Sequence, residues 1–191
     1  MYDGVVTNQA TERDPQDPRI ERTRAHVLGH ARRLLASDGP DAVTYSELAA
    51  RARVTRQTLY RHWPARDALF VDLVLEQAMD ALPESSGTPE EIVGEFLRRL
   101  RDDMDDPANA GPLTALIAGA DHETTSHSAL EHIVADVRSA LNRLLEPSGV
   151  LVTPEDYARL CGPVIFQRFL ARQPATEQFI DDLVIRWSRT R

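Results

Sequence analysis

The hydrophobic residues of this chain recur at the spacing of an α-helix over most of its length. In residues 20–37, for example, apolar side chains return every three or four positions, and Asp38-Gly39-Pro40 supplies a stop. No segment alternates as a strand does, and no repeat of fixed period is present. The pattern predicts an all-α fold of about nine helices. They are expected at 20–37, from Thr44 to the turn at 52–55, and at 55–62, 66–82, 89–104, 111–120, 127–146, 154–172 and 176–188.

Several residues mark where the predicted helices begin and end. Thr44 and Glu47 have the spacing of a capping box, in which each side chain satisfies a backbone amide of the other residue. Thr55 is expected to cap the next helix, and Pro64 to end it, because a proline disfavours helical geometry in the residue before it. Residues 121–126 are predicted to form a polar loop, and residues 1–18 a disordered tail.

Two short helices separated by a turn at 52–55 form a predicted helix-turn-helix. Its apolar residues, Leu48, Ala49, Val54 and Leu59, are expected to pack on the first and fourth helices. The polar residues of the second helix then face outward. Arg56 and Gln57 are suited to guanine and adenine edges, and Thr58, Tyr60 and His62 to phosphate oxygens. The outward-facing set is Arg56, Gln57, Thr58, Tyr60, Arg61 and His62.

The net charge of −8 argues at first against nucleic acid as a partner, but its distribution reverses that view. Residues 1–18 carry a net charge of −3, residues 19–70 carry +5 and residues 71–191 carry −10. A basic segment followed by an acidic body is expected when only one part of a protein meets phosphates. The charge pattern alone makes DNA binding plausible and no more.

Here the sequence resembles the TetR family of one-component transcriptional regulators. The resemblance covers about residues 24–74 and follows the order and spacing of the family's amino-terminal pattern. A pattern towards the carboxyl end, Gly162-Pro163-x-x-Phe166-x-Arg168-x-Leu170 followed by Phe179 and Leu183-Val184, is similar to the end of one common subgroup of the family's ligand-binding domains. The matched residues are Gly39, Thr44, Leu48, Ala49, Val54, Thr55, Thr58, Leu59, Tyr60, His62, Trp63, Ala65, Arg66, Asp67 and Leu69.

The resemblance implies that Thr58, Tyr60 and His62 position phosphates and that Arg66 clamps a further phosphate. This chain departs from the family pattern at two positions. Arg53 stands where the turn usually has glycine, so a left-handed conformation there would cost about 1–2 kcal/mol. Ala65 stands where a serine or asparagine usually caps the fourth helix. The complete predicted DNA-binding set is Thr44, Tyr45, Ser46, Thr55, Arg56, Gln57, Thr58, Tyr60, Arg61, His62 and Arg66.

The resemblance also implies a small-molecule cavity between the helices of the body, although core packing is the default interpretation of each apolar residue there. The identity of the effector cannot be read from the sequence. The last two predicted helices carry more apolar surface than a monomer of this size can bury, which predicts a homodimer. The predicted cavity residues are Phe96, Leu100, Met104, Leu116, Ile117, His122, Val137, Leu141, Ile165, Arg168 and Phe169. The predicted dimer residues are Phe166, Leu170, Phe179, Leu183 and Trp187.

No arrangement of residues typical of an enzyme is present, so we predict neither catalysis nor a cofactor. His122, His127 and His132 are five residues apart, which does not place them on one helix face, so a polar surface is a better interpretation than a metal site. Cys161 lies among apolar residues and is expected to be a small buried side chain. The absence of a signal peptide and of a long apolar run predicts a cytoplasmic protein without a membrane span.

The sequence therefore predicts a ligand-responsive DNA-binding regulator. A homodimer would place two recognition helices on a palindromic operator in double-stranded DNA, as a repressor does. Two alternatives remain: a regulator of the same fold with no small-molecule ligand, and a helical binding protein with a vestigial reading head. The predicted domains are a tail at 1–18, a helix-turn-helix domain at 19–66, and a ligand-binding and dimerisation domain at 67–191.

Overall fold

The computed structural model describes residues 18–80, 82–83 and 86–190. These residues form nine α-helices and no strand, so the predicted fold class is confirmed. The predicted tail lies outside the described residues, apart from Pro18, which begins the first helix. The helices are α1 (Pro18–Asp38), α2 (Tyr45–Ala52), α3 (Arg56–His62), α4 (Arg66–Asp80), α5 (Pro89–Asp105), α6 (Pro107–Gly119), α7 (Thr124–Leu145), α8 (Pro154–Phe166) and α9 (Glu177–Ser188).

Three shorter turns complete the chain. Two are 3₁₀ turns, Pro40–Ala42 and Glu146–Ser148, and the third is a π-helical turn, Gln167–Ala171, which follows α8 directly. Arg172 then adopts a left-handed conformation with φ of 55°, which ends the helical path.

Threonine side chains cap the amino ends of several helices. Thr55, Thr153 and Thr176 each accept a hydrogen bond from a backbone amide in the first turn of the helix that follows. The predicted capping box at Thr44 is only half formed: Thr44 Oγ1 accepts from the Glu47 amide at 3.2 Å, but the Glu47 carboxylate binds Arg51 Nε at 2.6 Å. A complete capping box occurs instead at the start of α5, between the side chains and backbone amides of Thr88 and Glu91.

Two predicted boundaries in the body were wrong. Helix α6 begins at Pro107, earlier than predicted, because the Asp106 carboxylate accepts from the Ala108 amide at 2.8 Å and caps the helix. Helix α7 begins at Thr124, so the second half of the predicted loop 121–126 is helical. The Ser126 side chain is buried in this first turn, where its hydroxyl donates a hydrogen bond to Asp67 of α4. This contact between helices is not visible in a local sequence pattern.

The first three helices pack around a small core, and the rest of the chain extends that core without a break. Leu28 and Leu35 of α1, Leu48 of α2 and Leu59 of α3 are buried in the same cluster as side chains of α4–α9. Helix α4 packs on α6 and α7, α1 packs on α6, and α5 packs on α8 and α9. The predicted domain boundary between residues 66 and 67 lies in the first turn of α4. The cores on the two sides of this boundary are continuous. No helix in the described part of the chain combines the length and apolar character of a membrane span.

The turn between α2 and α3 contains a left-handed arginine. Arg53 has φ of 54° and ψ of 41°, and its amide donates to the Ala49 carbonyl. Arg53 stands where the related family pattern has glycine, so the sequence indicated that a left-handed conformation here would be strained. The structure adopts that conformation. A side chain with a Cβ atom is strained in this region by about 1–2 kcal/mol.

We predict that Arg53→Gly stabilises the fold. Glycine removes the backbone strain from the folded state but also gives the unfolded chain more conformational freedom. Because the first free-energy term is the larger one, the free energy of unfolding in urea should rise by about 0.5–1 kcal/mol. Arg53→Ala is the matched control, because it removes the same charge but keeps Cβ, and it should leave the free energy of unfolding almost unchanged. An equal gain from both variants would attribute the effect to charge and not to backbone strain.

Candidate nucleic-acid interface

Helices α2 and α3 form the helix-turn-helix unit. Leu48 and Leu59 are fully buried between these helices and the rest of the core, and Ala49 and Val54 pack against them. His26 of α1 also contacts the end of α2: its Nε2 donates a hydrogen bond to the Ala52 carbonyl oxygen at 3.1 Å. The seven residues of α3 span about 10 Å, close to the width of a DNA major groove.

Most of the predicted contact residues of this unit are solvent-exposed. Arg56, Gln57, Tyr60 and Arg61 are exposed along α3, and the Tyr60 side chain keeps 55% of its surface accessible. Thr58 is half-buried, because its hydroxyl lies 2.9 Å from Thr55 Oγ1 within the cap of α3. Three more members of the set, Thr44, Ser46 and Thr55, are exposed at the beginnings of α2 and α3.

The charges on this surface are of one sign. No acidic residue occurs between Glu47 and Asp67, whereas five arginines do. Arg51 pairs with Glu47 and Asp38, but the other four form no ion pair with any described residue. All four are exposed, and the Arg66 guanidinium lies 5.1 Å from the centre of the Phe70 ring. The four arginines with uncompensated charge are Arg53, Arg56, Arg61 and Arg66.

Arg53 is an addition to the set predicted from sequence. Its position in the turn suggested only a departure from glycine, and its left-handed backbone places an exposed guanidinium beside α3. The stretch without acidic residues around it was the signal that could have identified it.

Trp63 anchors the carboxyl end of α3 to the helices behind it. The indole N–H donates to Asp72 Oδ2 of α4 at 2.5 Å, and the same carboxylate binds Arg24 of α1 through Nε at 3.0 Å and through the second guanidinium nitrogen at 2.8 Å. Trp63 is almost completely buried. This network of Trp63, Asp72 and Arg24 orients the exposed face of α3, and sequence reasoning missed it because its members are far apart in the chain.

Tyr45 is a member of the predicted DNA-binding set, but its hydroxyl is bound within the protein. Its hydroxyl donates to the Trp63 carbonyl at 2.5 Å, and its ring packs edge-on against Tyr60 with centroids 4.7 Å apart. Burial, with smaller effects of Tyr60 and Asp67, raises the pKa of Tyr45 to about 12, so its hydroxyl remains a donor at neutral pH. Tyr45 therefore positions Tyr60 and the end of α3, and its hydroxyl proton is not available to DNA.

The outward orientation predicted for His62 was wrong. Its Nε2 atom is buried without a hydrogen-bond partner among the described residues, and its ring leans on Trp63 over a groove lined by Arg24 and Asp72. Burial, followed by the nearby charges of Arg61 and Arg24, lowers the pKa of His62, so the ring is neutral at pH 7. Residue 62 closes α3, and its side chain turns towards the groove and not along the exposed face.

Comparisons with known proteins agree on this region and on the whole fold. Residues 27–73 match the family model described as bacterial regulatory proteins, tetR family. An HTH-type transcriptional regulator of Mycobacterium tuberculosis is 25% identical over 94% of this chain and 90% of its own length. The crystallised TetR family transcription regulator SCO0332 is 25% identical, with a TM-score of 0.70 over 85% of this chain and 94% of its own. The chain belongs to the TetR family of transcriptional regulators.

Two further relatives mark the limits of this likeness. The HTH-type regulator YdeS of Bacillus subtilis is 41% identical, but only over 35% of this chain and 33% of its own length. The multidrug binding protein EbrR, crystallised with imidazole, has a TM-score of 0.58 at 20% identity, over 91% of this chain and 96% of its own. The second match concerns the fold alone.

The body of this TetR-family regulator contains an apolar cavity of about 330 Å³ between α4, α5, α6, α7 and α8. Six of the predicted residues line it, and Val74, Gln77, Asp103 and Tyr157 are among those that the sequence did not suggest. The predicted residues that line the cavity are Phe96, Leu100, Met104, Ile117, Val137 and Ile165.

Five predicted cavity residues do not line it. Leu116 and Leu141 are fully buried in the core, and His122 is exposed beyond α6. The Arg168 guanidinium is held by the Met104 carbonyl at 2.7 Å and by Asp105 at 3.3 Å, and it lies 5.6 Å from the Phe169 ring centroid. Helical periodicity showed which faces are apolar, but it could not separate side chains packed in the core from those facing the cavity.

The predicted dimer residues divide into two groups. Phe166 and Leu170 are 54% and 68% exposed, whereas Leu183 and Trp187 are 8% and 5% exposed and belong to the core of the monomer. Phe179 is half-buried at an apolar groove between α8 and α9, and the buried side chains of Leu183 and Trp187 form part of its floor.

The remaining candidate groups form surface pairs or core. His127 and His132 lie on the exposed side of α7, each four residues before an acidic partner, Glu131 at 3.7 Å and Asp136 at 3.2 Å. Cys161 is buried, and burial raises the pKa of its thiol to about 12, which keeps it protonated.

The Asp72 network generates a stability prediction. Asp72→Ala leaves the buried Trp63 N–H without an acceptor and removes the partner of Arg24, so the free energy of unfolding should fall by about 2–3 kcal/mol. The control is Glu76→Ala, which breaks another α1–α4 ion pair, with Arg32 at 2.7 Å on the surface, and should cost less than about 1 kcal/mol. Urea titration followed by Trp fluorescence measures both. Equal losses in the two variants would contradict the anchoring role of Asp72.

Proposed function

We propose that this chain is a ligand-responsive repressor that binds a palindromic operator in double-stranded DNA as a homodimer. The observation that carries the proposal is the uncompensated positive surface at 53–66. Four exposed arginines without acidic partners surround a short helix that fits a major groove, in a chain whose net charge is −8. The arginines of such a surface repel one another in the free protein, and phosphates placed beside them would remove that repulsion.

The positions of the side chains suggest how the work is divided between them. Arg56 and Gln57, in the first turn of α3, are placed to read base edges. Thr44, Ser46, Thr55, Thr58, Tyr60, Arg61 and Arg66 surround that turn and suit the phosphates on either side of the groove. Arg53 joins this group. Tyr45 packs against Tyr60, and the His62 ring packs against Trp63, so both residues support the end of α3 from its inner side.

The outer face of α8 and α9 supports the dimer. Phe166 and Leu170 expose large apolar side chains, and Gly162, one turn before Phe166, is exposed with no atom near the position of a Cβ. A groove of about 410 Å³, lined by Pro163, Phe179 and Leu183, lies beside them. A second copy would cover this surface and form a four-helix interface from α8 and α9 of each chain.

The shared helix α4 supports a response to a ligand. Arg66 begins α4 on the DNA side, Asp72 in its middle anchors α3, and Val74, Gln77 and Ala78 farther along line the cavity. A ligand that shifts α4 would therefore change the orientation of α3, and the spacing of the two recognition helices in a dimer. The fold neighbour EbrR is named as a multidrug binding protein, which agrees with a role for such a cavity in small-molecule binding.

We predict that Arg56→Ala and Arg66→Ala weaken DNA binding in different ways. The operator would first be selected from random DNA duplexes by the purified protein. Arg56→Ala should lose about 1–3 kcal/mol of discrimination at one operator position, and Gln57→Ala should do so at another. Arg66→Ala should weaken binding to all sequences alike and reduce the slope of log K against log salt by about one.

Arg189→Ala provides the control for the loss of one positive charge, since Arg189 lies at the end of α9 in the body. Its affinity and salt slope should equal those of the unmodified protein. If Arg56→Ala weakened binding to random DNA as much as to the operator, the residue would contact only the backbone. Failure of the protein to select any sequence would refute the proposed function.

We predict that Phe166→Glu and Leu170→Glu convert the dimer to a monomer at micromolar concentration. Both side chains are exposed in the monomer, so charged substitutions there should not disturb folding, whereas a charge buried without a partner in the interface is strongly unfavourable. Leu151→Glu is the matched control, because Leu151 is equally exposed but precedes α8, and it should leave the dimer intact. Sedimentation equilibrium distinguishes these outcomes. A monomer in the unmodified protein would refute the interface, and an intact dimer in both variants would place it elsewhere.

A further inference from the structure

The cavity in the body has mostly apolar walls and a few polar lining groups. Its rings and aliphatic side chains come from all five surrounding helices, and its volume of about 330 Å³ falls at the lower end of small-molecule sites. Ile117 and Val134 line the cavity and are both 48% exposed, so they border its opening between α6 and α7. The polar lining groups, Gln77, Arg99, Asp103 and Asn109, determine which ligand chemistry the cavity accepts.

Asp103 is the charged lining group that no arginine contacts directly among the described residues. Its Oδ1 accepts one hydrogen bond, from Gln77 Nε2 at 2.8 Å, and it forms no ion pair with any described residue. Its neighbours on α5 do: Asp102 binds Arg101 at 2.8 Å, and Asp105 binds Arg168 at 3.3 Å. The carboxylate that faces the cavity thus lacks the arginine partner that its surface neighbours have.

The other charged lining group is already neutralised by the protein. Arg99 Nε donates to Glu95 Oε1 at 2.9 Å, and a terminal guanidinium nitrogen donates to the Leu82 carbonyl at 2.9 Å. Its positive charge is therefore directed towards Glu95 and α4's carboxyl-terminal flank. The charge that the lining leaves for a ligand is negative.

Two aromatic rings face the same cavity. Phe96 and Tyr157 have ring centroids 6.2 Å apart and an interplanar angle of 42°. Burial, together with the neighbouring Cys161 thiol, raises the pKa of Tyr157, so its ring remains a neutral phenol. The faces of such rings attract cations, most strongly where water is excluded.

We propose that the effector of this regulator is a hydrophobic organic cation, whose positive group binds the Asp103 carboxylate while its apolar body lies against Phe96 and Tyr157. This proposal rests on the proposed ligand response of the same cavity. Burial raises the pKa of Asp103, and Asp102 and Asp106 add to the rise, although the hydrogen bond from Gln77 and the charge of Arg99 oppose it. The protein alone therefore stabilises the ionised carboxylate incompletely. A bound cation would complete that stabilisation, whereas an anion or a neutral ligand would not.

Isothermal titration with three probes of similar size tests the proposal. They are benzyltrimethylammonium, its uncharged carbon isostere neopentylbenzene, and the anion phenylacetate. The cation should bind at least about tenfold more tightly than the other two, as expected for a charge attracted by one carboxylate and by two aromatic ring faces. Asp103→Asn, which keeps an acceptor for Gln77, should weaken the cation about tenfold and leave neopentylbenzene unchanged.

Asp105→Asn is the matched control, because it removes the same charge from α5 at a position that does not line the cavity, and it should change no probe's affinity. Equal affinity of the cation and its neutral isostere would overturn the proposal, as would binding that is insensitive to Asp103→Asn. Tighter binding of phenylacetate, or no binding of any probe, would overturn it as well.

The outcome is separable from that of the proposed function, since titration uses the protein without DNA. The affinity of the selected operator is then measured with and without benzyltrimethylammonium. A cation that binds through Asp103 but leaves operator affinity unchanged would support the cation site and refute the ligand response. A protein that selects no operator would refute DNA binding without changing the titration result.

Discussion

A single carboxylate, Asp72, holds together the parts of the molecule on which its proposed activity depends. It accepts hydrogen bonds from the buried Trp63 indole at the end of α3 and from Arg24 of α1, while it belongs to α4. A seven-residue helix is too short to be stable alone, so α3 owes its orientation to these contacts and to burial of Leu59. The exposed face of α3 is thus set by a partner nine residues farther along the chain.

Helix α4 connects this network to the rest of the protein. Its first turn carries Arg66 on the candidate DNA surface and Asp67, which binds Ser126 at the start of α7. Gln77, three turns later, lines the cavity and holds Asp103 of α5. The two surfaces also carry opposite charge, a basic one on the reading head and an unpaired carboxylate in the cavity. Under the two proposals, this separation would direct phosphates to one end of the molecule and cations to the other.

The helices themselves could be predicted because their signals are local. Apolar residues three and four positions apart share a helix face, and caps such as Thr55 and Thr153 act within one turn. The same local logic failed at α7, whose start is stabilised by the Ser126–Asp67 hydrogen bond between distant segments. It also failed at Glu47, whose carboxylate binds Arg51 in preference to closing a capping box.

The sequence by itself determined the all-α class, the helix-turn-helix and the basic character of residues 19–70, since each depends on residue type and short spacing. It also determined that Gln57 and Arg61 are exposed, because they lie opposite the buried Leu59 on α3. The tertiary structure decided which polar side chains turn inward, as His62 does, and that Leu183 closes the monomer core. It also decided that Asp103 faces a cavity. These properties depend on packing between segments far apart in the chain, which no local pattern records.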